Sequence, residues 1–160
     1  FRSCTGLTSV TIPNSVTTIG KGAFHSCESL TSIAIPDSVT AIEASAFART
    51  GLTEIVVANS VTEIREYTYA DCKGFVNITI PDTITKIRRD AFRSCEKIKS
   101  ITLHPSITEI ENDFYSDHWK ERLKTIYIPV GMTDHFKQIL PERYHNLIVE
   151  KKPKKAKAKK

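Results

Sequence analysis

The feature that most constrains this chain is an internal repeat. Set in register, the sequence falls into units at 7–29, 30–51, 52–74, 75–97 and 98–122, with a sixth unit opening as LKTIYIPVG at Leu123. Three units are 23 residues long, the second is one residue shorter and the fifth two longer. The first six residues, FRSCTG, match the tail of a unit, as Ala91-Phe92-Arg93-Ser94-Cys95 shows. The sequence as given is therefore expected to start in mid-repeat, with earlier rungs cut away or absent from an isolated fragment. Self-similarity at a period in this range is the mark of a solenoid: one unit cannot bury its own apolar face, and stacked neighbours supply the cover.

The columns of the repeat define the expected core. Leu7, Leu30, Leu52, Phe75, Ile98 and Leu123 open the units. Val10, Ile33, Ile55, Ile78, Ile101 and Ile126 follow three residues on, and Ile12, Ile35, Val57, Ile80, Leu103 and Ile128 two further on. The last step alternates as a strand with one buried face does. The next stretch, S-V-T-x-I, carries Val16, Val39, Val61, Ile84 and Ile107, then Ile19, Ile42, Ile64, Ile87 and Ile110. These β-branched residues suit a second short extended segment. An aromatic column, Phe24, Phe47, Tyr69, Phe92 and Tyr115, sits in A-F-x-x-C, a length that fits one helical or 3₁₀ turn closing the coil. The expected architecture is a right-handed, β-rich solenoid over 1–129 with rungs ~4.8 Å apart. A small helical cap is expected over 130–150 and a disordered lysine-rich tail over 151–160.

In the cap, a helix is expected from Thr133, with Thr133 as its N-cap and Phe136, Ile139 and Leu140 on one face. Pro141 ends it. Tyr144, Leu147 and Ile148 then fold back over the last rung and cover its open edge, whereas Phe1 leaves the opposite edge exposed.

The pattern L-T-S-[VI]-x-I-P-[ND]-S-V-T-x-I-x-x-x-A-F-x-x-C resembles the BspA-like leucine-rich repeats, also found in the Treponema leucine-rich repeat family. The resemblance covers 1–129, and residues 126–150 are similar to the closing segment of such proteins from Bacteroides-type bacteria. It implies a cell-surface or secreted protein that adheres to host, matrix or bacterial surface proteins. It implies neither catalysis nor a cofactor, and it carries over no individual binding residue. Ala58 and His104 depart from the proline column, and Thr50 and His118 from the cysteine column.

Turning the apolar positions of the first strand inward leaves two columns facing out. They are Ser9, Ser32, Glu54, Asn77, Ser100 and Thr125, and beside them Thr11, Ala34, Val56, Thr79, Thr102 and Tyr127. Short hydroxyl side chains dominate and give a flat face suited to broad contact with a protein or glycan. The competing reading is that they only solubilise a strand of high β-propensity. The five-membered column Thr17, Thr40, Thr62, Thr85 and Thr108 reads as a ladder or turn device. Asn14, Asp37, Asn59 and Asp82 read as turn residues bonding their own backbone.

Cys4, Cys27, Cys72 and Cys95 share one column and read as small fillers of the rung interior, with disulfides Cys4–Cys27 or Cys72–Cys95 as the alternative. The five histidines form no metal-ligand spacing, and no nucleophile elbow or phosphate loop is present. Trp119, in the insertion of the fifth unit, is the best candidate for a local contact.

Charge is unevenly spread. The net charge is +5, but the last ten residues hold 7 of the 23 basic residues; subtracting 7 from 23 leaves 16 against 18 acidic residues over 1–150. The lysine tail, with Lys151, Lys152, Lys154, Lys155, Lys157, Lys159 and Lys160, supports an alternative function: binding nucleic acid or another polyanion. It lacks the interleaved aromatics of specific nucleic-acid readers.

Overall fold

The computed structural model describes residues 1–112, 114–115 and 122–152. The chain coils into stacked rungs, each built from a first extended segment, a second extended segment and a run of turns. In the second segment lie β1 (Thr18–Ile19), β2 (Ala41–Ile42), β3 (Glu63–Ile64), β5 (Lys86–Ile87) and β7 (Glu109–Ile110). The first segment forms β4 (Asn77–Thr79), β6 (Ser100–Thr102) and β8 (Thr125–Pro129). All pairing is parallel and runs between equivalent residues of neighbouring rungs, as Ile78↔Ile101 and Ile101↔Ile126 illustrate. The repeat columns thus become the register of the sheets.

The core lies between the two strand layers and the turns. Phe47, Tyr69, Phe75, Phe92 and the isoleucines of the second segment are almost wholly buried, as are Ile33, Ile78, Ile80, Ile101, Ile126 and Ile128 of the first. Phe1, Phe24, Phe47, Tyr69 and Phe92 stack face to face, with centroids 5.5–5.9 Å apart and interplanar angles of at most 9°. Offset stacking at this separation adds to the area term of burial.

Of the two forms that A-F-x-x-C allows, the turn segment takes the 3₁₀-type turn. Bonds spanning three residues, such as Ala23 N–H to Gly20 O and Cys27 N–H to Phe24 O, close it as in a 3₁₀ turn. Two residues per unit in the left-handed region then keep it from propagating. One precedes the alanine column (Gly22, Ser45, Tyr67, Asp90) and one precedes the cysteine column (Ser3, Ser26, Arg49, Asp71, Ser94), all at φ between 57° and 63°. A left-handed residue redirects the chain without ending the coil, at a cost of about 1 kcal/mol for each non-glycine side chain. Across this side the N–H groups of one rung bond the carbonyls of the next, for example Phe24 to Ala46, Phe47 to Thr68 and Tyr69 to Ala91.

One junction differs. The sheets are β1–β2, β3–β5–β7 and a four-stranded sheet beginning at β4, so no strand pairing joins the second rung to the third among the described residues. Unit 30–51 is the one that lacks a residue, lost between the cysteine column and the next leucine (Thr50-Gly51-Leu52 against Cys27-Glu28-Ser29-Leu30). The chain enters the third rung early, and Gly51 and Gly74 accommodate the close approach. A Cβ on Gly51 would sit 2.6 Å from Glu28 O, and one on Gly74 2.3 Å from Leu52 O. Segment 52–57 forms no strand, and Ile55 and Val57 are only half-buried, as Ile12 and Ile35 are in the first two rungs, where Ile78 and Ile80 are buried.

Helix α1 (Thr133–Ile139) and a 3₁₀ helix (Glu142–Leu147) follow the last rung, with Phe136, Leu140 and Tyr144 buried. The expected Thr133 cap is not made. Met132 holds the cap position without a side-chain bond, and the Thr133 hydroxyl instead donates to Glu150 Oε1 at 2.6 Å. The cap also does more than cover the edge. Residues Ile148–Lys151 form β9, parallel to β8, so the sheet reads β4–β6–β8–β9 and extends one residue into the lysine-rich tail. Tyr144 Oη donates to Tyr115 O at 2.9 Å, which ties the cap to the fifth unit.

Candidate functional site

Both candidate columns face outward except at Val56, which packs against the core, and the structure divides them into three groups. Ser9, Thr11, Ser32 and Ala34 lie exposed on the first two rungs, linked by the single bridge Thr11↔Ala34. Glu54 and Val56 sit on the unpaired third rung. Asn77, Ser100 and Thr125 align in register, as do Thr79, Thr102 and Tyr127, which continue to Val149 on β9. The twelve residues of the two columns therefore do not share one sheet; the last six do. Trp119 and Lys154, Lys155, Lys157, Lys159 and Lys160 lie outside the described residues, whereas Lys151 and Lys152 are described and exposed.

The four-stranded sheet is flanked by a cleft on each side. At the C-terminal ends of its strands Thr79, Thr102, His104, Tyr127 and Lys151 line about 500 Å³, with the Lys151 ammonium 4.4 Å from the centre of the Tyr127 ring. That contact is a cation–π pair across β8 and β9. At the N-terminal ends Val76, Glu96, Lys97, Lys99, Arg122 and Lys124 line about 490 Å³. Sequence reasoning missed this second cleft. Its signal was present: Thr8, Thr31, Thr53, Val76, Lys99 and Lys124 form a third outward column that turns basic at its end.

The opposite flank, beside the second strands, is closed by charge. Arg88 pairs with Glu63, with Glu109 at 2.8 Å and with Glu111 at 2.9 Å; Lys86 meets Glu109 at 3.1 Å and Arg65 meets Glu43 at 2.7 Å. The hydrogen bond from Lys86, with the nearby Arg88 charge, holds the Glu109 carboxyl below the usual carboxylate range. This lattice links the second rung through the fifth and leaves little for a ligand to contact.

Threonine and cysteine columns both serve the rungs. Thr40, Thr85 and Thr108 hydroxyls donate to the carbonyls of Thr17, Thr62 and Thr85 in the rung before. Asp37 does not fold back on its own backbone as expected; its Oδ1 accepts from Asn59 Nδ2 at 3.0 Å across the open junction. All four cysteines are free thiols; Cys4 is exposed and Cys27, Cys72 and Cys95 are buried. Beyond filling space, the buried thiols donate to the Phe1, Phe47 and Tyr69 carbonyls one rung back along the aromatic column. Burial pushes the Cys72 thiol up to about 11 and Cys27 and Cys95 also upward, so they stay protonated and inert at neutral pH. His135 and His145 bond the carbonyls of Ile107 and Leu140.

A parallel coil of rungs, with leucine-opened strands and an aromatic turn column, defines a leucine-rich repeat protein. The BspA type leucine rich repeat region matches residues 1–135 in six copies, and the chain belongs to that family. A leucine-rich cell surface protein from Faecalibacterium prausnitzii superposes with a TM-score of 0.74 at 34% identity, over 82% of this chain and 34% of that one. A leucine-rich repeat protein from Bacteroides ovatus gives 0.70 at 24% identity, over 89% and 39%. The T. pallidum leucine-rich repeat protein gives 0.58 at 25% identity, over 76% and 71%. The chain thus spans little more than a third of the first two structures. No curated protein sequence matches it significantly. No helix among the described residues is long and apolar enough to cross a membrane.

Proposed function

We propose that the chain is a non-catalytic binding module of a bacterial surface protein, making adhesive contact with a protein on a host, matrix or bacterial surface. The reading is carried by the outward face of β4, β6, β8 and β9. There backbone groups are engaged in rung-to-rung pairing and three rungs present side chains in register. Such a surface cannot accept an added strand except at its edge, so partner recognition falls to Asn77, Ser100 and Thr125 and to Thr79, Thr102 and Tyr127. Tyr127 is the anchor: a large amphipathic ring beside an apolar-lined cleft is the kind of group that concentrates binding energy. The surface location is supported by kinship with the F. prausnitzii cell surface protein.

Replacing Glu54, Asn77 and Thr79 together by Lys should weaken binding to immobilised matrix proteins or bacterial cells, while Tyr127→Ala should weaken it further. Binding unchanged in both variants would remove the strand face as the contact surface.

A further inference from the structure

The two flanks of the solenoid treat positive charge in opposite ways. Beside the second strands, Arg65, Lys86 and Arg88 all meet carboxylates. Beside the first strands, Lys97, Lys99 and Lys124 are exposed, and none forms an ion pair among the described residues. Lys99 and Lys124 are direct neighbours on adjacent rungs, their backbones joined by the Lys124 N–H bond to Lys99 O at 2.8 Å. Like charges placed opposite one another on a ladder destabilise it. Among the described residues no carboxylate pairs with either lysine to offset that repulsion. Arg122 adds a fourth cation, its Nη1 donating to Glu96 O at 3.1 Å, and among the described residues the Glu96 carboxylate is the one anionic group lining the cleft.

The geometry points to this cleft as a binding site for an acidic glycan, a polysaccharide segment carrying sulfate or carboxylate groups. Its volume of about 490 Å³ falls within the range of small-ligand sites and takes a short stretch of chain. Lysine ammoniums are compact, freely rotating donors that suit scattered anionic groups better than a fixed bidentate partner. The adjoining column supplies neutral hydroxyl and amide groups for uncharged sugar hydroxyls: Asn77, Ser100 and Thr125, with Ser100 Oγ bonded to Asn77 Oδ1 at 2.8 Å. An acidic peptide is the poorer fit. Protein contacts draw their energy from aromatic and large apolar anchors, and among the described residues this cleft offers only Val76. The two sites share the Asn77, Ser100 and Thr125 column, but Lys99 and Lys124 line this cleft and not the Tyr127 one, so altering them leaves the Tyr127 anchor in place.

The test titrates a heparin-derived hexasaccharide into the full 160-residue chain by calorimetry. It compares Lys99→Glu with Lys124→Glu against Lys157→Glu with Lys159→Glu, two double variants of equal charge change. Two contacting charges at a water-exposed surface account for roughly a tenfold change in affinity. The cleft variant should therefore lose about tenfold or more, and the tail variant less than about twofold. The neutral pair Lys99→Gln with Lys124→Gln, which introduces no new charge repulsion with neighbours, should show a smaller loss in the same direction. Equal losses in the cleft and tail variants would assign binding to overall charge or to the tail and overturn the proposal. Absence of hexasaccharide binding to the unaltered chain would overturn it too. Tighter, Lys99-dependent binding of a ten-residue oligoglutamate than of the hexasaccharide would make the ligand an acidic protein segment and not a glycan.

Discussion

The junction between the second and third rungs and the junction between the fourth and fifth are built from the same sequence columns, yet only one is zipped on every side. Between the fourth and fifth, both strand layers pair, and Thr108 repeats the hydroxyl link to Thr85. Between the second and third, neither strand layer pairs, while the turn side keeps Ser45, Phe47 and Arg49 bonded to Glu66, Thr68 and Ala70. The aromatic stack also passes through without interruption, Phe47 to Tyr69 at 5.8 Å. The coil can thus lose one residue and open its strand side, provided the turn side and its ring column hold the rungs together.

The largest expected effect tests how tight the shortened passage is. Gly74→Ala places a Cβ against Leu52 O and Gly51 O, both backbone atoms that cannot swing aside. It should cost about 3 kcal/mol in denaturant unfolding, an overpacking penalty. Gly6→Ala, where nothing lies within 4 Å, should leave the midpoint almost unmoved. Equal costs would mean that the glycines matter for reasons other than the short unit.

Inserting one glutamate between Thr50 and Gly51 restores the full period and should close the gap. Two recovered backbone bonds at about 1 kcal/mol each predict a gain near 2 kcal/mol. Hydrogen exchange gives the sharper reading. In the parent chain the amides of Thr62 and Arg65 should exchange faster than those of Thr85 and Arg88, which bond Thr62 and Ile64 carbonyls. In the insertion variant the difference should vanish, and a persistent difference would detach the open ladder from the missing residue.

Charge bridges the gap where backbone does not, through Arg65 and Glu43. The closed junctions carry the denser Arg88 cluster. Arg88→Gln takes the guanidinium from Glu63, Glu109 and Glu111, leaving Glu109 its Lys86 partner, and should cost about 1 kcal/mol at pH 7. The sign with pH follows from Glu109. Its folded-state pKa is depressed, so its contribution is present above the ordinary glutamate range and lost as pH falls through the lowered value. The cost of Arg88→Gln should accordingly shrink on acidification, read from melting temperatures between pH 7 and pH 3. A cost independent of pH would make Arg88 a packing residue.

The smallest effect concerns the left-handed turns. Arg49→Gly relieves an exposed, positive-φ side chain but frees the unfolded chain, so a net gain of at most about 0.5 kcal/mol is expected. Tyr67→Gly, half-buried at the same φ, should gain less because it also gives up ring contact with Arg93.

The repeat columns made the rungs, the core and the parallel register legible, because every rung repeats the same burial problem and one unit solves it for all. Properties that belong to a single rung were harder to read. The missing residue was visible, but its effect depends on the distance between Gly74 and a carbonyl in another rung. The closing strand was hidden because Ile148-Val149-Glu150 is too short to signal a strand until β8 lies beside it. Among candidate contacts, the outward orientation of both columns could be read from two-residue alternation. The basic cleft could not be weighed, since Lys99 and Lys124 become meaningful only when stacking sets them side by side and the carboxylates are seen to lie on the other flank. The turn segment was legible as one helical or 3₁₀ turn, but not its left-handed positions, because serine, arginine, tyrosine and aspartate occupy places usually advertised by glycine.

The parallel ladder has a mechanical consequence. Strands that cross the solenoid at right angles to its length are loaded perpendicular to their axes when the two ends are drawn apart. Their hydrogen bonds then break in sequence and not together, so rungs should peel one at a time under modest tension. Each released rung of 23 residues pays out about 80 Å of slack. Under flow or traction the chain would lengthen stepwise, shedding strain before the bond to its partner fails, and the open second junction is where the first step should occur.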